Sequence, residues 1–288
     1  NKRYTFRKLD INNYKKVFRE LNLFKPDIIF NLAAESHVDR SITNSRNFIN
    51  SNIIGTFTLL QASQKYLLSL KKNKKTKFRF IQISTDEVYG SLRKNDKHFS
   101  EKSNFLPNSP YSASKASADH IVRAWYKTFK FPAITTHCSN NYGSYQNYEK
   151  FIPMIILNAL NKKPITIYGT GKQLRDWIHV EDHVQALKLI SEKGKIGETY
   201  NIGSNNLKKN IDLVKLICEY LNKISDNKNI NYMDYITFVN DRPGHDFKYA
   251  INTSKIKKKL HWEAKIKFSS GLYDTINWYK ENRLKGNK

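Results

Sequence analysis

The chain holds only two cysteines, two methionines, seven prolines and eleven glycines in 288 residues. Two cysteines, Cys138 and Cys218, in no metal-ligand spacing exclude a disulfide scaffold and a cysteine-held metal. Cys138 lies in an apolar run and reads as a buried small hydrophobe, and the compartment implied is a reducing cytoplasm. No apolar run reaches the ~18 residues of a membrane span, and the polar, charged first residues give no signal peptide. His37, His120, His179 and His261 lack ligand spacing, so no metal site is expected. Acidic residues are scarce as well, 25 Asp+Glu against 50 Lys+Arg, for a formal charge of +25. That excess invites a nucleic-acid reading. It is mostly lysine, however, spread from Lys2 to Lys288 among Asn and Ile, as a biased composition written onto solvent-facing positions would be. The densest run, Lys71-Lys72-Asn73-Lys74-Lys75, falls between a helix pattern and a strand pattern, where a solvated loop is expected. Nucleic acid is therefore not an expected partner, although a positive field would help to draw in a nucleotide diphosphate. The last absence is a glycine-rich turn. A dinucleotide fold needs a strand, a tight glycine turn and a helix N-terminus to receive the pyrophosphate, and this chain begins, at Asn1, without them.

What is present suits a globular protein, with 39% hydrophobic and 13% aromatic residues and enough length for one large or two small domains. The first half alternates helix and strand. Helical periods run over Ile11–Phe24 and Phe48–Leu70, and strand runs over Asp27–Leu32, Phe78–Ser84 and Ala133–Cys138. Beyond about Gly143 the character changes. Helix patterns at Glu149–Asn161, Glu181–Glu192, Asn210–Asn222 and Ser269–Asn282 enclose short strand candidates at Ile165–Tyr168, Thr199–Ile202 and Ile236–Val239. The first half reads as a doubly wound α/β pattern with its amino-terminal units cut away.

One stretch organises the rest. Ser84-Thr85-Asp86-Glu87-Val88-Tyr89-Gly90 follows a buried strand, which sets Thr85, Asp86 and Glu87 at a carboxyl end, where open α/β sheets bind ligands. Tyr111-Ser112-Ala113-Ser114-Lys115 opens a helical pattern continued by Ile121, Trp125 and Phe129. Tyr111 and Lys115, four apart, share a face, and an ammonium beside a phenol favours the phenolate, a base nearer neutral pH. Singly, these patterns are weak: most Y-x-x-x-K spacings are a surface tyrosine near a solvated lysine. Strand, carboxylate pair and helix nevertheless come in the order an active site needs.

Tyr111 and Lys115 with Ser84 and Thr85 upstream resemble the catalytic set of the extended short-chain dehydrogenase/reductase family, the NAD-dependent epimerases and dehydratases. The strings Leu32-Ala33-Ala34-Glu35-Ser36-His37-Val38-Asp39-Arg40-Ser41, Ser84 to Gly90, Ser109 to Ser117 and Asp241-Arg242-Pro243-Gly244-His245-Asp246 narrow the likeness to its sugar-nucleotide 4,6-dehydratases. It runs from about Asp10 to Trp278. The likeness implies a Rossmann-type parallel sheet, lacking its opening βαβ unit, over residues 1–143, and a smaller substrate-binding lobe, partly interleaved with it, over residues 144–288. The start is then that of a fragment or a misplaced one. The likeness also implies NAD as cofactor, dTDP-glucose as substrate, and a homodimer formed through the helices Phe48–Leu70 and Tyr111–Phe129.

The implied reaction oxidises carbon 4, because the carbon 5 proton becomes acidic only beside a ketone, then removes water across carbons 5 and 6, then reduces carbon 6. By the resemblance Tyr111 takes the carbon 4 hydroxyl proton, with Lys115 lowering its pKa and binding the cofactor ribose. Glu87 removes the carbon 5 proton, Asp86 protonates the departing hydroxyl, and Thr85 hydrogen-bonds the carbon 4 oxygen. Asp86 must hold a proton to do so, which burial or Glu87 would favour. Adjacent carboxylates point to opposite sides of an extended chain, so a turn must aim both at one sugar. Related epimerases usually lack the Asp-Glu pair. Cofactor positions carried over are Asp10 and Ile11 near the adenine, Leu32, Ala33, Ala34, Glu35 and Ser36 beneath the cofactor, Ser51, and Asn141 near the nicotinamide. Substrate positions are Ser36, Thr85 and Asn140 at the sugar, Lys150 and Phe151 over the nucleotide, and Thr166, Ile167 and Tyr168 along the base. Arg175, Asn210, Arg242 and His245 serve base and diphosphate, the planar arginine fork suiting phosphate. Two other readings stay open: another nucleotide-sugar dehydratase, decarboxylase or epimerase, and a catalytically silent module that binds or dimerises.

Overall fold

A computed structural model describes residues 3–227 and 229–282. The backbone divides into two units, Asn1–Val88 with Ser109–His137 and Ser191–Thr199, and Tyr89–Asn108 with Cys138–Ile190 and Tyr200–Lys288.

In the first unit, α1 (Tyr14–Phe24), β1 (Ile28–Asn31), α2 (Val38–Thr43) and α3 (Ser45–Phe48) come first. A π-helical turn, Ile49–Ile54, leads into α4 (Gly55–Ser69), followed by α5 (Lys72–Lys75), β2 (Arg79–Thr85), α6 (Pro110–Phe129) and β3 (Ala133–Cys138). Helix α1 starts three residues later than its apolar period suggests. The Asp10 carboxylate accepts from the Asn12 backbone and side chain, and Asn13 caps the helix through the Lys16 N–H. The lysine run expected as a loop instead forms one exposed turn, α5. Helix α6 begins where it does because Ser109 and Ser112 form a reciprocal capping box and Pro110 fills the first turn, where no N–H is needed.

The sheet order is β1-β2-β3, followed by the start of β7 (Thr199–Ile202), and β1 runs parallel to β2 with Ile28 opposite Arg79. Its core packs Leu59, Leu60 and Tyr66 of α4 and Val122 of α6 with Phe78, Phe80 and Phe131. Each such side chain contributes about 1.5–3 kcal/mol by leaving water. Strand β2 is thereby fixed at the centre, and its carboxyl end carries Thr85.

The second unit contains β4 (Asn140–Tyr142), α7 (Phe151–Leu160), β5 (Ile165–Tyr168), β6 (Leu174–His179), α8 (Val180–Lys193), β7 for most of its length, β8 (Leu207–Lys209), α9 (Asn210–Ile224), β9 (Ile236–Val239), α10 (Ser254–Leu260) and α11 (Phe268–Asn282). Strands β4, β6 and β8 form one sheet, and β5 and β9 form a parallel pair. Helices α7, α9 and α11 close over Trp177 and Tyr142 through Ile152, Ile155, Leu213, Ile217, Leu272 and Ile276. Cys218 is buried in this core, whereas Cys138, expected to be buried, is only half-buried at a strand end.

Candidate active site

Thr85 ends β2, and Asp86 and Glu87 stand on the tight turn that follows it. A 3₁₀ turn, Asp86–Tyr89, follows the strand directly, so the two carboxyls are not held on opposite sides of an extended chain. The Thr85 hydroxyl accepts from the Glu87 N–H at 3.2 Å and lies 3.4 Å from the Asp86 carboxylate. Asp86 is 2% exposed and Glu87 half-buried. Of the two carboxyls, that of Asp86 is the more enclosed.

Tyr111 is the second residue of α6, in the first turn of the helix. Its ring meets Phe48 edge-on at 6.3 Å. One turn on, Lys115 is buried, and its ammonium donates to the Ile83 carbonyl at 2.6 Å. Helix and strand are therefore joined one residue before the Ser84-Thr85-Asp86-Glu87 stretch. Ser84 differs from the resembled set. Its hydroxyl donates to Asp119 at 2.6 Å and is buried.

The segment after β1 forms a low shelf. Leu32 and Ala33 are exposed, and Ala34, Glu35 and Ser36 half-buried. Glu35 is pinned on both its N–H (2.8 Å) and its carbonyl (3.0 Å) by Asn52, which also donates to Ser114 of α6. The π turn supplies this arm, and Ser51 sits beside it, half-buried. A short inserted π turn at a functional segment is a recurrent device. Ile11 packs against Gly55, where a Cβ would come within 2.4 Å of it. Small Ala33 and Ala34 leave room for a flat ring to lie close.

In the second unit, Tyr168, Asn210, Arg242 and His245 lie around Asp241, which opens the Asp241–Asp246 string, and Gln173, which pattern reading did not single out. His245 Nδ1 and Asp241 are 2.5 Å apart, and Gln173 donates to the other Asp241 oxygen at 3.0 Å. Burial chiefly, with help from Arg242, holds His245 below the usual histidine range in spite of Asp241. Burial would raise the Asp241 carboxyl, but the hydrogen bonds from His245, Arg242 and Gln173 outweigh it and keep it low. The pair is thus a neutral imidazole donating to a carboxylate. Arg242 lies 6.0 Å from the Tyr168 ring, and the Asn210 N–H donates to the Gln173 carbonyl at 3.0 Å. Buried Arg175 stacks on Tyr249 at 4.1 Å and gives its guanidinium to the Leu174 and Asp246 carbonyls. Along β5, Ile165 and Ile167 point into the core while Thr166 and Tyr168 stay half-exposed, so a ligand could meet Ile167 only through its backbone. Phe151 stacks on Trp177 at 6.2 Å, and Lys150 is the N-cap residue of α7. Asn140 is half-buried on β4, with a side-chain oxygen enclosed.

Asn141 is held from three directions: its Nδ2 donates to the Ser139 carbonyl, its backbone carbonyl accepts from Gln146, and its Oδ1 accepts from His183 Nδ1 at 2.8 Å. Burial pushes His183 down to about 4. The unfolded chain therefore takes up this proton near 6.5 and the folded chain only near 4, so stability is lost as pH falls through that window. The expected contribution is on the order of 3 kcal/mol. Urea melts at pH 7 and 4.5 should show a smaller difference for His183→Gln than for the parent, although not none, since His98 and His245 are also held low.

Among the described residues no cluster of His, Cys, Asp and Glu could hold a metal ion, and no helix is long and apolar enough to cross a membrane.

With this geometry in view, the chain was compared with known proteins. Residues 1–275 match the family model described as GDP-mannose 4,6 dehydratase. The chain is 49% identical over 285 residues to a dTDP-glucose 4,6-dehydratase of Haemophilus influenzae, covering 98% of this chain and 84% of that one. It is 50% identical over 288 residues to that of Salmonella typhimurium, with 97% and 80% covered. Among solved structures it is similar to DesIV, a dTDP-glucose 4,6-dehydratase from Streptomyces venezuelae with NAD bound, at TM-score 0.86 and 36% identity, covering 96% and 79%. A Bacillus anthracis dTDP-glucose 4,6-dehydratase in complex with NAD aligns at TM-score 0.83 and 42% identity, covering 98% and 81%.

Proposed function

The chain belongs to the dTDP-glucose 4,6-dehydratase family, and from that premise we propose that it converts dTDP-glucose into dTDP-4-keto-6-deoxyglucose with NAD as cofactor. The observation that carries the reading is the Thr85-Asp86-Glu87 turn at the end of β2, joined to the Tyr111 helix by the Lys115–Ile83 hydrogen bond. An epimerisation has no use for an enclosed acid beside an open base; loss of water needs both.

The roles in this proposal are those the resemblance implied. Tyr111, at a helix N-terminus and one turn from a buried ammonium, takes the carbon 4 hydroxyl proton. Thr85, whose link to Asp86 is a long 3.4 Å, exchanges that contact for the carbon 4 oxygen. Glu87 takes the carbon 5 proton, and Asp86 gives its own to the leaving carbon 6 hydroxyl. When bound, NAD supplies a two-electron acceptor that is restored by the end of the cycle. The residues fit the nicotinamide–ribose end: Lys115 and Tyr111 on one side, and the shelf from Leu32 to Ser36 with its two alanines on the other. Asp10, Ile11 and Ser51 complete that side of the proposal. The pyrophosphate end has no glycine-rich turn among the described residues, Gly55 being the first glycine and lying inside a helix. The first unit would hold the cofactor. In the second, Tyr168, Arg242, His245 and Asn210 would hold the nucleotide diphosphate, with Arg175 bracing them from below, and Asn140, Lys150, Phe151 and Thr166 would bound the sugar and base.

A homodimer is part of the same proposal. On the α4 and α6 face, Leu68 (68% exposed) and Phe129 (51%) stand out, beside a groove of about 490 Å³ lined by Gln61, Gln64, Trp125 and Phe129 among others. Two such faces would make a four-helix contact. Phe129→Asp is expected to convert a dimer to a monomer in sedimentation velocity, and an unchanged sedimentation coefficient would count against that face. Both cysteines are free thiols, which suits the cytoplasm.

The family model's GDP-sugar description favours one competing substrate. Purified chain supplied with NAD and offered dTDP-glucose, UDP-glucose and GDP-mannose separately is expected to form a 4-keto sugar from the first. Ketone absorbance only from the other two would overturn the substrate assignment.

A further inference from the structure

Below the catalytic turn lies a buried group that the reaction as derived does not use. Asp119 is on α6, four residues after Lys115 and eight after Tyr111, so all three share one face of the helix. One of its oxygens accepts from both the Ser84 hydroxyl at 2.6 Å and His137 Nε2 at 3.1 Å. Its other oxygen is enclosed without a hydrogen-bond partner. Ser84, Asp119 and His137 are 3%, 4% and 1% exposed. This is not a hydrolytic triad, because the serine donates to the carboxylate rather than to the imidazole and no substrate can reach it.

Two features distinguish the arrangement from ordinary core packing. First, consecutive turns of α6 grip consecutive residues of β2: Lys115 holds the Ile83 carbonyl and Asp119 holds the Ser84 hydroxyl. Thr85, Asp86 and Glu87 follow at once. Second, a neutral amide could accept from Ser84 at less cost in so enclosed a place. Asp119 instead stands one turn along α6 from the buried Lys115.

We propose that Asp119 is a positioning residue: with Ser84 and His137 it holds β2 against α6, so that Tyr111 and Lys115 stay in register with Thr85, Asp86 and Glu87. The proposal rests on the dehydratase reading for its kinetic consequence, and on the fold alone for its structural one.

The test uses the full chain and the variants Asp119→Leu, Asp119→Asn and Ser84→Ala, each measured by hydrogen–deuterium exchange and by steady-state turnover of dTDP-glucose with NAD. In Asp119→Leu, exchange in peptide 83–89 should quicken about tenfold while β1 and α7 keep their protection. Its kcat should fall about 10- to 100-fold with KM within about twofold, as expected when reacting groups are misplaced by an ångström or less. Asp119→Asn, which keeps an accepting oxygen, should restore the protection of 83–89 and part of the turnover. A folded Asp119→Leu with parental exchange and kcat overturns the proposal. So does protection lost evenly across the first unit, which is the signature of a core residue only. Should Asp119→Leu not fold, Ser84→Ala removes one donor alone and must still loosen 83–89; unchanged exchange there refutes the clamp. A parent chain without turnover on dTDP-glucose would speak against the proposed function, while the exchange result would still decide the clamp.

Discussion

Replacing Glu87 by Gln is expected to leave oxidation at carbon 4 in place and to slow water loss about 10²- to 10⁴-fold. The amide keeps the size of the side chain but cannot accept the carbon 5 proton. The turn itself should persist, because what ties residue 87 to Thr85 is its backbone N–H, 3.2 Å from the hydroxyl. A rapid-mixing experiment with dTDP-glucose and NAD should therefore show reduced-nicotinamide absorbance that rises and stays, where the parent returns to baseline. Equal slowing of both steps would remove Glu87 from the role of base and shift attention to Asp86.

The second large effect is at Tyr111. Tyr111→Phe keeps the ring that meets Phe48 edge-on and removes only the hydroxyl, so thermal stability should change by no more than about 1 kcal/mol. Turnover should fall about 10²- to 10⁴-fold, and no reduced cofactor should accumulate, because the block precedes oxidation. Together the two variants separate the halves of the reaction: one stops before the ketone, the other after it. A Tyr111→Phe protein that still reduced its cofactor at the parental rate would assign the first proton transfer to another group.

Much of the fold around the candidate site was legible in the sequence because its patterns are local. Ala133–Cys138, Ile165–Tyr168, Thr199–Ile202 and Ile236–Val239 are strands at the bounds their β-branched runs suggest. The carboxylate pair follows a strand and the Y-x-x-x-K pair opens a helix, so a few residues specify each arm. What stayed hidden depends on partners far along the chain. Strand β6, Leu174–His179, carries little strand signal because Arg175 and Asp176 break its apolar alternation. Both are buried charges, one satisfied by the Leu174 and Asp246 carbonyls and the other by Ser204 and the Asn206 N–H. Helix α10 has only Ile256 and Leu260 as buried anchors among its lysines, too few to mark a period. Asp119 reads as an ordinary helix-surface acid until β2 and β3 bring Ser84 and His137 to it. Gln173 meets Asp241 across 68 residues, a distance no pattern rule spans. The reverse also occurred: Cys138 looked interior from its apolar neighbours, yet its place at a strand end leaves it half-buried.

The most direct measurement follows one hydrogen. Given dTDP-glucose deuterated at carbon 4 in ordinary water, with NAD present, the chain should yield a 4-keto-6-deoxy product with the deuterium at carbon 6 and a solvent proton at carbon 5. Deuterium still at carbon 4 of a recovered sugar, with no ketone formed, would mean that the turn bearing Asp86 and Glu87 performs no elimination, and the account would fall with it.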